Sequence, residues 1–333
     1  MSEGKAIALS FALAAVLTPL WRSLALGLGF LDQPNERSSH RRVTPRGGGI
    51  ALVAAVGVSL LAAPVDWTGG RVGLGLGAAV VALVGLWDDR FGIPPLVRFV
   101  FHLAAALGLV LITGGLDHLP LPPPLDLPLG PLGGTLAVLW IVAAVNFYNF
   151  MDGIDGMAAL QGLVTGGGLA LLGGDPFAQR LGAALAAGCL GFLLYNWSPA
   201  SIFMGDIGSG FLGFVLAALP LLTPPPERAS AVLFVAISLW LFLSDASWTL
   251  LRRVVRGERW YHAHREHLYQ RLVASGLGHA TVTGGVGLGS AVLTALAFLA
   301  SRTEKPLRAW AAVAAAVTFV ALEAALVRRR ESR

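Results

Sequence analysis

The 333-residue chain has little charge and almost no cysteine. Charged residues make up 13% of it, about half of the roughly 25% usual in soluble domains. That deficit excludes an ordinary globular protein with a hydrated surface. The one cysteine, Cys189, lies inside an apolar run, so no intrachain disulfide and no cysteine-based metal site can form. The net charge of +5 is not gathered into any soluble basic domain, which leaves no surface for nucleic acid. A convincing internal repeat is also missing, which argues against a transporter built from inverted halves.

What the chain does have is apolar sequence. Hydrophobic residues are 55% of it and the mean hydropathy is +0.70. The 42 glycines suit close helix packing in lipid, where small residues let backbones approach. A bilayer span needs roughly 20 apolar residues, and eleven runs near that length can be drawn: 6–28, 47–64, 72–87, 95–114, 134–149, 157–173, 180–197, 207–222, 230–250, 281–300 and 307–327. The first follows only Lys5 and is longer than a signal-peptide core, so it reads as a retained span. The fold class is therefore an all-α polytopic membrane protein with about eleven transmembrane helices.

Alternation divides the connections into two sets. One holds 29–46, 88–94, 150–156, 198–206, 251–280 and the tail after 327; the other holds the N-terminus, 65–71, 115–133, 174–179, 223–229 and 301–306. Of 24 Lys and Arg residues, only Lys5, Arg71, Arg180, Arg228, Arg302, Lys305 and Arg308 belong with the second set. The positive-inside rule makes the first set cytoplasmic, with the N-terminus outside and the C-terminus inside. Within the second set, the Pro-rich tract cannot be a regular helix and reads as a stiff loop, with a short hairpin at Leu125-Asp126-Leu127 as the alternative.

The conspicuous acids and histidines fall on the cytoplasmic set. The stretch Asn146–Gly156 packs two amides, Asp152, Asp155 and two glycines between apolar runs. Asp88-Asp89 closes the third span, Asp206 opens the eighth within Gly205-Asp206-Ile207-Gly208-Ser209-Gly210, and His262, His264 and His267 lie in the largest loop. Acids beside a membrane are costly unless paired, hydrated or bound to a cation. Five on one face, with no thiolate, point to a hard divalent metal, Mg²⁺ or Mn²⁺. Blander roles remain open: Asp152 and Asp155 as helix caps in a turn, Asp206 as an N-cap, Asp88-Asp89-Arg90 as a solvated helix end. The first loop, Asp32 to Gly49, joins basic side chains and His40 to a Gly-rich helix start, which suits phosphate. His102, alone in an apolar span, reads as structural, and Asp245, near Trp248, as interfacial.

Taken together these residues resemble the polyprenyl-phosphate N-acetylhexosamine-1-phosphate transferase family (glycosyltransferase family 4), to which the phospho-MurNAc-pentapeptide translocase is related. The resemblance runs from Asp32 to about Gly276. It rests on Asp32-x-Pro34-Asn35-x-Arg37…His40…Thr44-Pro45…Gly47-Gly48, Asp88-Asp89, Asn146-x-x-Asn149-x-x-Asp152-Gly-x-Asp155-Gly, Phe203-Met-Gly-Asp206-x-Gly-Ser and the late histidine loop. The first loop and His264-Arg-Glu-His267-Leu-Tyr-Gln-Arg271 look closest to the O-antigen-initiating branch.

The resemblance implies a single transmembrane catalytic domain in a bacterial plasma membrane, with its site on the cytoplasmic face. The implied reaction joins the sugar 1-phosphate of a UDP-N-acetylhexosamine to polyprenyl (undecaprenyl) phosphate and releases UMP. By analogy Asp206 and Asn149 would hold Mg²⁺, and Asp88 and Asp89 would orient or deprotonate the acceptor. Asp152 and Asp155 would bind the nucleotide-sugar, Phe203 would stack on uracil, and Asn196 would supply a nucleotide-side amide. His264, Arg265 and His267 would face the diphosphate and sugar, with Arg271, Arg37, His40 and Thr44 as further substrate contacts. The family's dimers imply a homodimer. Two departures stand out: Leu268-Tyr269-Gln270 replaces adjacent histidines, and Val43 replaces a proline. The rival readings are a transporter using cytoplasmic-face carboxylates and a CDP-alcohol phosphotransferase, whose compact repeated-aspartate motif is not found.

Overall fold

The computed structural model describes residues 3–34, 42–225, 227–258, 265–302 and 306–331. The chain is helical almost throughout. Helix α1 (Glu3–Leu28) leads through strand β1 (Leu31–Asp32) and strand β2 (Thr44–Pro45) to α2 (Gly49–Leu61), α3 (Gly69–Phe91) and α4 (Pro95–Thr113). Then follow α5 (Leu132–Phe150), α6 (Met157–Leu172), α7 (Pro176–Asn196) and α8 (Gly205–Ala218). The chain closes with α9 (Glu227–Ser238), α10 (Trp240–Val255), the short α11 (Leu268–Ala274), α12 (His279–Ser301) and α13 (Pro306–Glu331).

Each of the eleven apolar runs is helical, but they do not make eleven equal spans. Among the described residues eight helices are long and apolar enough to cross a bilayer, or nine if α9 and α10 count as one broken span. Helix α2 has 13 residues and α6 has 16, about 20 and 24 Å at the usual rise, against a hydrocarbon core of about 30 Å. The ninth run bends by 74° between α9 and α10. Backbone groups freed inside a membrane protein need internal partners. At the bend Gln161 Nε2 donates to the Ser238 carbonyl at 2.9 Å, and Ser290 donates to Gln161 Oε1 at 2.7 Å.

Local chemistry explains the helix starts. Pro95 sits in the first turn of α4, where its missing N–H is no loss. Asp175 caps α7, accepting from Phe177 N at 3.1 Å, with Pro176 following it. Helix α8 runs through the centre, buried from Ile207 to Ala218, between α3 and α5. Leu111, Leu251 and Leu307 are among the large apolar side chains left exposed, as lipid-facing surfaces require.

Contacts at the bundle ends reproduce the two sets of connections. At the end where α3 begins, Arg71 pairs with Asp175 at 2.9 Å, Arg180 donates to Pro64 O at 2.7 Å, and Arg228 donates to Gly115 O at 2.6 Å. The Pro-rich tract lies at this end as well and does form a small hairpin, contrary to the stiff-loop reading. Leu119 N donates to Leu127 O at 2.8 Å and Leu129 N to Asp117 O at 2.9 Å, around an antiparallel bridge between His118 and Pro128. The Pro residues block a regular helix but leave alternate N–H groups able to pair. The acids singled out above gather at the opposite end.

Candidate active site

The first loop folds back as a two-residue ribbon in which Leu31 faces Pro45 and Asp32 faces Thr44. The ribbon docks on the segment that opens α8: Phe203 N donates to Pro45 O at 2.8 Å, Gly48 N to Phe203 O at 2.9 Å, and Gly49 N to Met204 O at 2.8 Å. Thr44 is buried and donates to Arg42 O at 3.0 Å. This docking sends Arg46 toward α3. Its Nε lies 3.0 Å from Asp89 Oδ1, and its Nη2 2.5 Å from the same oxygen.

Asp89 has no exposed side-chain surface. Besides Arg46 it accepts the backbone N–H of Asp206 at 3.0 Å and of Ile207 at 3.2 Å. It therefore caps the start of α8 from another helix, satisfying N–H groups that a helix end leaves orphaned. Gly205 makes this possible. Its φ is +75°, and a Cβ there would run into the Asp89 carboxylate. Gly85, one turn earlier on α3, lets the backbone of Asp206 lie directly against it.

Asp88 points the other way. It accepts Ile93 N at 2.7 Å and Arg98 Nη1 at 2.8 Å. The same Nη1 binds Asp206 Oδ2, so Arg98 bridges the Asp88 and Asp206 carboxylates. Asn149 Nδ2 donates to Ser209 Oγ at 2.9 Å, one turn along α8 from Gly205. Five charged side chains from four elements thus meet at one end of the bundle: Arg46, Asp88, Asp89, Arg98 and Asp206.

Asp152 faces this cluster from the loop after α5, and its side chain makes no hydrogen bond among the described residues, while its backbone N–H donates to Asn149 O at 3.2 Å. Burial, with Asp206 and Asp89 nearby, drives its pKa well above the usual carboxylate range. Asp155 behaves oppositely. Burial disfavours its charge, but His279 Nδ1 at 3.3 Å and Ala200 N at 3.2 Å outweigh that and lower its pKa. With Thr283 donating to its carbonyl at 2.8 Å, Asp155 fastens the loop to α12. Asn196, 3% exposed, ties the same loop down, accepting Gly156 N at 3.2 Å and donating to Ile202 O at 2.9 Å. Both residues therefore already hold the scaffold, whatever they offer a ligand.

The late loop is only partly described. Arg37, His40, His262 and His264 lie outside the described residues. Arg265 is exposed. Glu266 holds the loop to α10 through Arg252 at 2.7 Å and through Arg253. Asp245 is not interfacial: it is 0% exposed and bonded to His267 and the start of α11. Tyr269, in a position where the resemblance leads one to expect histidine, donates to Phe150 O at 3.0 Å. Arg271 forms a bidentate pair with Glu331, at 2.7 and 2.6 Å, which raises its pKa. That pairing commits it to α13 rather than to the carboxylate cluster. His102 is buried, as a structural role requires.

Sequence reasoning did not single out Arg46 or Arg98 as site residues: Arg98 counted only as topological charge, and Arg46 was one of the basic side chains of a first loop suited to phosphate. Arg46 could have been found inside the Thr44–Gly49 motif. Arg98 has no local signal, because its partners are ten or more positions away in α3 and α8.

Among the described residues no three His, Cys, Asp or Glu side chains converge as a closed metal cage. The adjacent Asp88 and Asp206 carboxylates, already bridged by one cation, and the unpartnered Asp152 nonetheless fit Mg²⁺, which is commonly held by one or two carboxylates with substrate phosphates completing its shell.

The profile described as glycosyl transferase family 4 matches residues 72–223, from α3 through α8. A protein of Bacillus subtilis (strain 168) described as a probable undecaprenyl-phosphate N-acetylglucosaminyl 1-phosphate transferase is 32% identical over 269 residues, covering 79% of this chain and 75% of its own. The decaprenyl-phosphate N-acetylglucosaminephosphotransferase of Mycobacterium tuberculosis (strain ATCC 25618 / H37Rv) is 31% identical over 301 residues, with 78% and 73% covered. A phospho-N-acetylmuramoyl-pentapeptide-transferase of Synechococcus sp. (strain RCC307) is 34% identical over 237 residues, with 65% and 64% covered.

Proposed function

The chain belongs to glycosyl transferase family 4, and from that premise we propose that it transfers N-acetylhexosamine 1-phosphate from a UDP-sugar to polyprenyl phosphate. UMP leaves and a lipid-diphosphate-sugar forms. The relatives' names favour N-acetylglucosamine as the sugar and undecaprenyl or decaprenyl phosphate as the acceptor; they do not favour the transporter or CDP-alcohol readings. The carrying observation is the cluster in which Arg98 joins Asp88 to Asp206 while Asp89 and Arg46 fix the start of α8.

Two anionic phosphates must approach for this reaction, so positioning and charge neutralisation are the main demands. The acceptor phosphate, with a second pKa near 6, is mostly dianionic at neutral pH and needs no strong base. Asp88, partly exposed, is suited to orient it. Asp89 is enclosed and acts by holding Asp206 in place, a narrower role than orienting or deprotonating the acceptor. Arg98 supplies positive charge beside the reacting oxygens. Asp206, with Asn149 beside Ser209, would hold Mg²⁺. When bound, the ion would neutralise the diphosphate and stabilise the departing UMP. Asp152 offers an unpaired carboxyl to the nucleotide-sugar, and Phe203, partly buried beside the start of α8, would stack on uracil.

The concentration of arginine on this end of the bundle supports a cytoplasmic site in a plasma membrane. The test supplies purified protein, Mg²⁺ and undecaprenyl phosphate with a panel of UDP-N-acetylhexosamines and measures UMP release. Release with one or more donors, lost in Asp206→Asn, is the expected result. Folded protein that releases none from any donor would refute the assignment.

A further inference from the structure

At the end of the bundle away from the carboxylate cluster, Arg228 stands without an ion-pair partner among the described residues. It lies in the first turn of α9 and is 8% exposed. Its Nε donates to Thr223 O at 2.9 Å and its Nη1 to Gly115 O at 2.6 Å, while Nη2 makes no hydrogen bond among those residues. Asp117 is near enough to act on it electrostatically but is paired with His118 at 3.0 Å. Carbonyls satisfy donors without neutralising charge, and a largely buried cation left that way is costly.

Arg228 lines a cavity of about 700 Å³, within the range usual for small-molecule sites. Arg71 and Asp175 line it too, but they are committed to each other at 2.9 Å. Glu227, also on its wall, is exposed and forms no hydrogen bond or ion pair among the described residues. The cavity therefore presents a positive and a negative group side by side, both open to a ligand.

Its apolar wall includes Ile112 at the end of α4 and Leu222 just beyond α8. Ile112 is exposed, as are Leu111 beside it and Val72 on α3, so lipid borders the cavity on this flank. That border favours a membrane headgroup over an anion free in water, and the planar fork of arginine suits phosphate.

We propose that this cavity binds the headgroup of a zwitterionic phospholipid, its phosphate on Arg228 and its ammonium on Glu227. The acyl chains would lie along the exposed flank of α3 and α4. On the topology proposed above, the lipid belongs to the outer leaflet. The inference is independent of the transferase reading.

Native mass spectrometry of the purified full chain, delipidated in detergent, tests this. The protein is titrated with palmitoyl-oleoyl phosphatidylethanolamine, the matching phosphatidylglycerol and diacylglycerol, and inorganic phosphate. Phosphatidylethanolamine should bind most tightly, as a single molecule per chain. Its Kd should rise at least about tenfold in Arg228→Gln, as loss of a hydrogen bond to a charged group implies. Glu227→Gln should abolish the preference for phosphatidylethanolamine over phosphatidylglycerol.

A parent that holds diacylglycerol, phosphatidylglycerol or phosphate alone as tightly would overturn the inference. So would an unchanged Kd in Arg228→Gln or an unchanged preference in Glu227→Gln. Should Arg228→Gln not fold, Thr68→Trp decides the matter. Thr68 lines the cavity, is exposed and makes no side-chain cap bond, so an indole there fills space and leaves both arginine bonds in place. Phosphatidylethanolamine binding should weaken; parent-like binding would overturn the inference.

Discussion

Asp89 accepts the backbone N–H of Asp206 at 3.0 Å, so an acid of one motif builds the helix start that carries the acid of another. Arg46 from the first loop completes the arrangement with Nε 3.0 Å from the same oxygen. Three motifs far apart in sequence therefore form one structural unit before any ligand arrives.

Removing Asp89 should damage the fold as well as the reaction. Asp89→Ala leaves Arg46 without its partner and the first N–H groups of α8 uncapped. Breaking a buried pair costs about 3–5 kcal/mol. Thermal unfolding in detergent should show a clear drop in melting temperature, whereas Asp206→Asn should lose UMP release and melt near the parent.

Arg98 bridges Asp88 and Asp206, so its removal should act on metal and rate in opposite directions. In Arg98→Ala the two carboxylates lose a competing cation, and half-saturating Mg²⁺ should fall. The positive charge facing the phosphates is lost as well, and kcat should fall roughly 100-fold. A Mg²⁺ titration of both proteins reads both effects; a raised Mg²⁺ requirement would contradict the bridging role.

Asp152 and Asp155 should shift stability with pH in opposite senses. The folded pKa of Asp152 is raised, so its carboxyl disfavours the folded state progressively as pH rises above the unfolded value of about 3.9. Asp152→Asn should raise the melting temperature at pH 7, lose that advantage toward pH 4, and impair turnover. The folded pKa of Asp155 is lowered, so its contribution is present above about 3.9 and is lost as pH falls through the folded value. Asp155→Asn should destabilise at pH 7, and its difference from the parent should shrink in acid. Melting curves across pH 4–8 check both signs.

Gln161 supports the break between α9 and α10. Gln161→Leu leaves the Ser238 carbonyl and the Ser290 hydroxyl without these partners, at about 1–3 kcal/mol for each buried polar group left unpaired. The variant should melt earlier than the parent, with the loss shared by Ser290→Ala in a double-mutant cycle.

Much of the protein was legible before any coordinates. The apolar runs mark its helices because lipid rewards continuous hydrophobicity and forces the backbone to bond within each segment. Alternation and the arginine count sorted the loops into the two groups that the end contacts reproduce. The motifs around Asp88, Asn149 and Asp206 singled out acids that do meet.

What the sequence could not decide was partnership. Whether an acid is enclosed like Asp89, bridged like Asp88 or unpartnered like Asp152 depends on which side chains arrive from other helices. Nothing in the neighbours of Arg98 announces its arrival, and the motif that holds Arg46 does not say that its partner is Asp89. The same holds for Asp245, whose place near a helix end suggested an interface until the return of α11 enclosed it. The bend at Leu239 escaped notice because hydropathy records how apolar a run is, not where its axis turns. Composition and alternation act along the chain and determined the membrane class, the helices and the end of the bundle where the acids gather. The role of each charge was decided only by tertiary packing, because a charge is stabilised by what lies within a few ångströms of it in space.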